Sequence, residues 1–425
     1  MEPQQPAARP DKPTGRGVTG VGLGSLISAI AVYVVLLIAS RTLPTAANTE
    51  LLTWLAAFQL ATGLLTGLST ELTRSVASAS RSPEGPSVLK VGATVGLAAG
   101  GVLALTALWW APLLLGSADL LAAGFLCLGI VGFACHSAMS GGFSGTSDWP
   151  GLARLLLLEA ILKLCLVGVV ALVGATVAGF AGAIAGAAFA WTILALTAPG
   201  RRALAARTDR RPRELAPRLF SAVGAQGASA LLTVGFPLLL AATTPRPEYA
   251  ESAPLLLAIS LTRAPLLIPL GAFQSMAITQ FVHTTRHRGV LLLQLAMLLL
   301  GVGALGALAA WLIGPWLMKV LFTYEIGGML LAGLTLAAAA LALLTLIGAL
   351  CQASDRHAWF LGGWIVAVVT SLACLLTPFG METRTLLALL TGPLVGAALM
   401  SGGLLLASGH RRDGVPPAPP RNAAA

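Results

Sequence analysis

Apolar residues run along this chain in long, nearly charge-free blocks, not in the periodic stripes of a soluble helix or strand. A helix that crosses a membrane needs about 20 such residues in a row, because the hydrocarbon layer is about 30 Å thick. Twelve blocks meet that requirement: 17–40, 50–72, 90–110, 118–139, 151–173 and 175–197, then 219–242, 252–281, 290–313, 326–351, 358–376 and 384–408. Only a tight turn at Gly174 separates the fifth and sixth. The pattern predicts an all-α integral membrane protein with about 12 transmembrane helices. The first block is too long for a signal-peptide core and lacks a small-residue cleavage site, so it reads as a retained span.

The polar stretches divide these blocks. Residues 1–16 and 409–425 are Pro-rich and read as disordered cytoplasmic tails. The longest internal hydrophilic stretch is RRALAARTDRRPRELAPR, residues 201–218. It splits the spans six to six. The expected organisation is a six-helix bundle over 17–197, a basic cytoplasmic linker over 198–218, and a second six-helix bundle over 219–408. A central basic loop between equal halves suggests two repeated bundles, as in several transporter folds.

Charge placement orients the chain. With both termini on one side, 19 of the 26 basic residues fall on that side, four on the other and three within spans. Basic residues concentrate on the cytoplasmic side of membrane proteins, so both termini are expected in the cytoplasm of a bacterial plasma membrane. The nine tryptophans, from Trp54 to Trp364, lie toward span ends, where aromatic belts form.

Composition narrows the function classes. The chain is 56% hydrophobic and 10% charged, whereas soluble domains average about 25% charged. A soluble enzyme, a disulfide scaffold and a disordered protein are excluded. The net charge of +10 would suggest nucleic acid for a soluble protein, but here topology and anionic lipid contact account for it. Cys127, Cys135, Cys165, Cys351 and Cys374 fall in or beside apolar blocks without metal-ligand spacing. No G-x-x-x-x-G-K-[ST], H-E-x-x-H, G-x-S-x-G or D-x-D motif occurs. The reading is therefore a non-enzymatic transporter, with no catalytic residue, metal or cofactor expected.

Ionisable groups inside spans are the candidate chemistry, because burying a charge in lipid demands a partner or a wet cavity. The fifth span, GLARLLLLEAILKLCLVGV, holds Arg154, Glu159 and Lys163. Glu159 and Lys163 are four apart and share a helix face near mid-membrane. They read either as a self-neutralising pair or as a polar stripe on a cavity. Arg154 lies nearer the cytoplasmic end, where it can snorkel. In the eighth span Arg263 is near mid-membrane with no carboxylate in its own helix, followed by Pro265 and Pro269. The prolines predict a kink with freed carbonyls. Arg263 reads as an anion site, or as the structural partner of Glu159 or Glu71. Glu71 and Arg74 end the second span as an interfacial pair or a gate. His136, in the fourth, is a proton-coupling candidate or a helix-to-helix hydrogen bond.

SAMSGGFSGTSDWPGLARLLLLEAILKL (residues 137–164) and SLTRAPLLIPLGAFQSMAITQFV (residues 260–282) resemble the corresponding helices of bacterial polysaccharide exporters, and the opening span with residues 50–81 is also similar. These exporters include the O-antigen flippases of the multidrug/oligosaccharidyl-lipid/polysaccharide (MOP) superfamily. The resemblance implies a MATE/MOP-like fold of two six-helix lobes and alternating access around a cationic cavity. Arg154, Glu159, Lys163 and Arg263 would line it. The implied substrate is an anionic glycan on undecaprenyl diphosphate, the implied partners membrane lipids, a polysaccharide polymerase and glycosyltransferases. This chain carries few cavity charges for that family. The rivals are a major-facilitator-type transporter of a small solute and a membrane enzyme acting on lipid-linked sugar. The G-x-x-x-D-R-x-G-R-[KR] stretch of the first rival is missing, and short outer loops disfavour the second.

Overall fold

A computed structural model describes residues 15–79, 84–115, 120–283 and 288–410. The tail expectations for 1–16 and 409–425 therefore lie almost wholly outside the described residues. Gly15 already opens the first helix and His410 closes the last. The described residues are helical throughout, apart from turns and one isolated bridge between Ser87 and Arg207.

The chain packs as two compact units. The first comprises Met1–Ala230 with Val234–Ala242, the second Leu231–Thr233 with Thr243–Ala425. In chain order the first unit's long helices are α1 (Gly15–Thr42), α2 (Thr45–Ala79), α3 (Val88–Leu105), the short α4 (Ala107–Leu115), α5 (Leu120–Gly145) and α6 (Trp149–Val173). After them come α7 (Val177–Ala187), α8 (Ala190–Ala195), α9 (Ala198–Ala205) and α10 (Pro212–Thr233), then α11 (Phe236–Thr243). The second unit is built on α12 (Arg246–Ala250), α13 (Ala253–His283), α14 (Arg288–Phe322), α15 (Gly328–Ala353), α16 (His357–Leu375) and α17 (Met381–His410).

In the first unit α5 is central. It packs against α2, α3 and α7, and α6 lies along α1. The α3–α5 seam explains part of the glycine content. Gly92, Gly96 and Gly100 recur every four residues on one face of α3. A Cβ at these positions would lie 2.6 Å from Ala138, 2.9 Å from Ala134 and 2.7 Å from Val131. Lipid gives helices no hydrophobic reason to associate, so close backbone approach through small residues supplies the attraction. In the second unit α16 packs along α17, and α15 contacts α13, α14 and α17.

Ten described helices are long and apolar enough to cross a membrane, or eleven if α10 and α11 count as one bent span. The structure departs from the expected spans at two places, the seventh and the third. The seventh starts earlier, at Pro212, and breaks by 64° between α10 and α11. Val234 N–H and Gly235 N–H both donate to Ala230 O, at 2.9 and 3.0 Å, which ends α10. Thr233 O would accept from the fourth residue on, but that residue is Pro237, which has no N–H. The eighth corresponds to α13, one continuous helix over Ala253–His283. The third span is also divided, at Thr106, into α3 and α4.

Two loop segments are joined at one end of the first unit. Gly85 N–H donates to Thr208 O, Val88 N–H to Ala206 O and Thr208 N–H to Pro86 O, at 2.9, 2.9 and 3.1 Å. Arg207 Nε adds a bond to Gly85 O at 3.1 Å. A side chain on Gly85 would collide with Thr208 and the Arg210 carbonyl, so glycine is required for this close approach. The stretch 201–218 thus holds the end of α9, a pinned strap and the first turns of α10.

The aromatic belt holds only in part. Trp109, Trp311 and Trp316 are exposed, as a belt requires. Trp54 and Trp364 are instead fully buried among helices, and Trp54 Nε1 donates to Ala122 O at 2.8 Å.

Candidate functional site

In the first unit the candidate site starts from the entry to α6. The sequence Asp148-Trp149-Pro150-Gly151 is a helix start: the Asp148 carboxylate accepts from Gly151 N–H at 2.9 Å, and Pro150 occupies the first turn. This sets the phase of α6 and puts Glu159 and Lys163 at its middle, one turn apart. Lys163 Nζ lies 2.6 Å from a Glu159 carboxylate oxygen, and each side chain is about 12% exposed. A lone charge at mid-membrane costs about 2.5–3.5 kcal/mol on insertion scales, so each group offsets the other's burial. Ser28 Oγ donates to Leu156 O at 3.2 Å and ties α1 to this part of α6.

His136 is buried in the helix next to the one that carries the pair. It lies on α5, which packs against α6. Only 4% of it is exposed, and its ring stacks on Phe133 at 5.1 Å between centroids. Its Nδ1 is buried without a hydrogen-bond partner. The buried polar groups of this part of the first unit are thus the Glu159–Lys163 pair on α6 and His136 on the neighbouring α5. Arg154 does not share the burial of these three; it is exposed near the start of α6.

Glu71 and Arg74 form the ion pair their spacing suggests. Arg74 Nε donates to a Glu71 carboxylate oxygen at 3.0 Å, and a second bond makes the pair bidentate. Next to it Ser75 Oγ donates to Asp209 at 2.5 Å. The pair therefore sits where α2 meets the pinned strap.

In the second unit Arg263 is buried, about 8% exposed, and its Nη1 donates to Thr233 O at 2.6 Å. Arg263 thus donates to a carbonyl at the end of α10, where its positive charge suits the negative end of a helix dipole. The expected carboxylate partners are engaged elsewhere: Glu159 with Lys163 and Glu71 with Arg74.

Sequence reasoning missed Arg384. It sits in the first turn of α17, buried, and its guanidinium donates to Thr243 O at 3.1 Å, Leu375 O at 3.3 Å and Thr244 Oγ1 at 2.9 Å. Glu248 lies 3.7 Å away. This arginine clasps the stretch before α12 to the α16–α17 turn. Only its position at the edge of an apolar block hinted at burial.

The fold and these intramembrane polar groups define a class. The chain shares its fold with an inward-facing multidrug-resistance MATE-family transporter of the MOP superfamily, at TM-score 0.70 and 14% identity, over 94% of this chain and 100% of that one. It is also similar to a MOP-superfamily transporter from Pyrococcus furiosus described as having a binding pocket of reverse polarity, at TM-score 0.65 and 15% identity over 93% and 95%. A eukaryotic MATE transporter matches at 0.64 and 16% identity, over 93% and 98%. This is the MATE-type, multi-pass membrane transporter fold. No family model matches the sequence. The chain is 36% identical over 402 residues to the uncharacterized protein Rv1510 of Mycobacterium tuberculosis, covering 92% of each. It is 37% identical over 389 residues to Rv3630 of the same organism, covering 89% and 90%. The chain belongs to the family of these mycobacterial proteins.

Proposed function

We propose that this protein moves an anionic lipid-linked oligosaccharide, of the undecaprenyl-diphosphate type, across the bacterial plasma membrane by alternating access. The observation that carries the reading is Arg263, a buried cation beside a broken helix. Discontinuous helices at membrane depth are where transporters build substrate sites, because the chain there offers backbone groups that a continuous helix uses internally. A guanidinium's planar fork can serve a carbonyl and a phosphate oxygen together, and a diphosphate head cannot enter hydrocarbon without such replacement of its water.

The remaining assignments follow the same reading. His136, Glu159 and Lys163 form a buried polar group in which a proton or a sugar hydroxyl can be exchanged. Arg154 guides the anion toward it, and Glu71–Arg74 acts as a gate at the cytoplasmic end of α2. The two six-helix halves alternate access, with both termini in the cytoplasm. Glycosyltransferases and a polysaccharide polymerase supply and consume the cargo, and no nucleic acid is involved. The second reading is export of a small solute, favoured by drug-transporting neighbours of the same fold.

Deletion of the gene separates the two. The proposed function predicts accumulation of lipid-linked glycan and loss of surface polysaccharide, both reversed by the wild-type gene. Unchanged levels of both, with increased sensitivity to amphipathic drugs, would establish the small-solute reading instead.

A further inference from the structure

The first unit carries a recess that His136, Glu159 and Lys163 do not line. A groove of about 770 Å³ runs between α2, α3 and α10, with Ile130 of α5 at its floor. Apart from Lys90 and Thr94, every lining side chain is hydrocarbon. Leu68, Val95, Leu219 and Val223 form the walls, and Phe220, 79% exposed, borders the open side. On α3 the lining runs from Lys90 to Leu103, about 20 Å at the helical rise. One leaflet's hydrocarbon is about 15 Å deep, half the bilayer core. The groove is therefore long enough to take one lipid chain lying in one leaflet.

Its two ends differ in charge. Lys90 stands in the first turn of α3 at the end where the loops are joined, and it makes no ion pair among the described residues. Pro212, which lines the same end, is flanked by the exposed Arg211 and Arg213. Arg211 is held only loosely, 3.9 Å from Glu84. The main-chain bonds between Gly85–Val88 and Ala206–Thr208 fix this basic platform in place.

We infer that the groove is a binding site for an anionic glycerophospholipid of the surrounding bilayer, its acyl chain along α3 and α10 and its phosphate on Lys90. The hydrocarbon lining rejects a free phosphate ion. The pinned platform separates this ligand from transported cargo: a head group held there stays at the membrane surface, whereas a cargo head group must cross. The site is independent of the proposed transport substrate and stands if that assignment fails.

The test is native mass spectrometry of the full chain, released from nanodiscs of dioleoyl phosphatidylglycerol, dioleoyl phosphatidylcholine or an equal mixture. The wild type should retain phosphatidylglycerol with a roughly five-fold preference, the worth of one basic side chain at a lipid surface. Lys90→Gln should abolish the preference while phosphatidylcholine binding persists. Ala98→Phe, which fills the groove from an exposed position, should reduce retention of both lipids without lowering the thermal stability of the delipidated protein. Lys319→Gln, in the second unit, should leave the preference intact. Equal retention of the two lipids by the wild type would overturn the site. So would a preference unchanged in Lys90→Gln, or one lost equally in Lys319→Gln. Displacement of phosphatidylglycerol by equimolar undecaprenyl phosphate would overturn the assignment to a resident bilayer lipid.

Discussion

Arg263 joins a structural contact to the proposed chemistry. Its bond to Thr233 O helps hold the end of α10, and a hydrogen bond from a charged donor is worth about 1.5–3 kcal/mol. Arg263→Ala should therefore lower both membrane abundance and transport. Arg263→Lys keeps a donor for the carbonyl but loses the planar fork, so abundance should stay normal while transport falls sharply. Immunoblots of membrane fractions beside surface-glycan measurements separate these outcomes, and full transport by an abundant Arg263→Ala protein would remove the residue from the site. The pair on α6 allows a similar separation. Glu159→Gln strands the Lys163 ammonium at a cost of about 2.5–3.5 kcal/mol and should reduce abundance. Exchanging the two, Glu159→Lys with Lys163→Glu, should restore abundance but not transport, because His136 then faces the opposite arrangement of charge. Restored transport would reduce the pair to a packing device. At this scale the sequence revealed contacts within one helix and little else. Glu159–Lys163 and Glu71–Arg74 follow from spacing alone, whereas the approach of His136 to α6, and of Arg263 to Thr233, depends on how separate helices pack.

The elements were legible wherever an apolar block is also a straight helix. Blocks 151–173 and 326–351 correspond to α6 and α15 within two residues, because hydropathy alone decides whether such a segment enters lipid. It failed at α10–α11, since Val234-Gly235-Phe236-Pro237 is as apolar as any span interior while its backbone cannot continue a helix. Gly235 and Pro237 were the signal, masked by their hydropathy. Burial of Trp54 and Trp364 was illegible for a related reason: an indole near a span end suits either a belt or a helix interface, and only the facing carbonyl of Ala122 decides for Trp54. The α3–α5 seam gives the clearest element-level prediction. Gly96→Leu places a side chain where even a Cβ meets Ala134 at 2.9 Å. It should cost about 1–3 kcal/mol through overpacking, read as a lower unfolding temperature in detergent. Gly101→Leu, at a position with open space around its Cβ, should leave that temperature unchanged, and equal effects would refute a close-packed seam.

For the molecule as a whole, the all-helical membrane fold was plain from the apolar blocks, and the MATE-type match agrees with it. Topology rests on the uneven distribution of basic residues. Reporter fusions after Gly200 and after Gly409 should both report cytoplasm, and an external signal at either would reverse the orientation. Cargo identity was not legible in the same way, because a fold shared at 14% identity fixes the scaffold and leaves the site to a few side chains. The most direct measurement is therefore transport by the purified chain. Proteoliposomes carrying a fluorescent undecaprenyl-diphosphate oligosaccharide in both leaflets are exposed to an impermeant quencher, with and without imposed proton and sodium gradients. The account predicts that wild-type vesicles lose nearly all fluorescence under at least one gradient, while Arg263→Lys vesicles lose only the outer-leaflet half. Retention of the inner-leaflet half by folded wild-type protein under every gradient would contradict it.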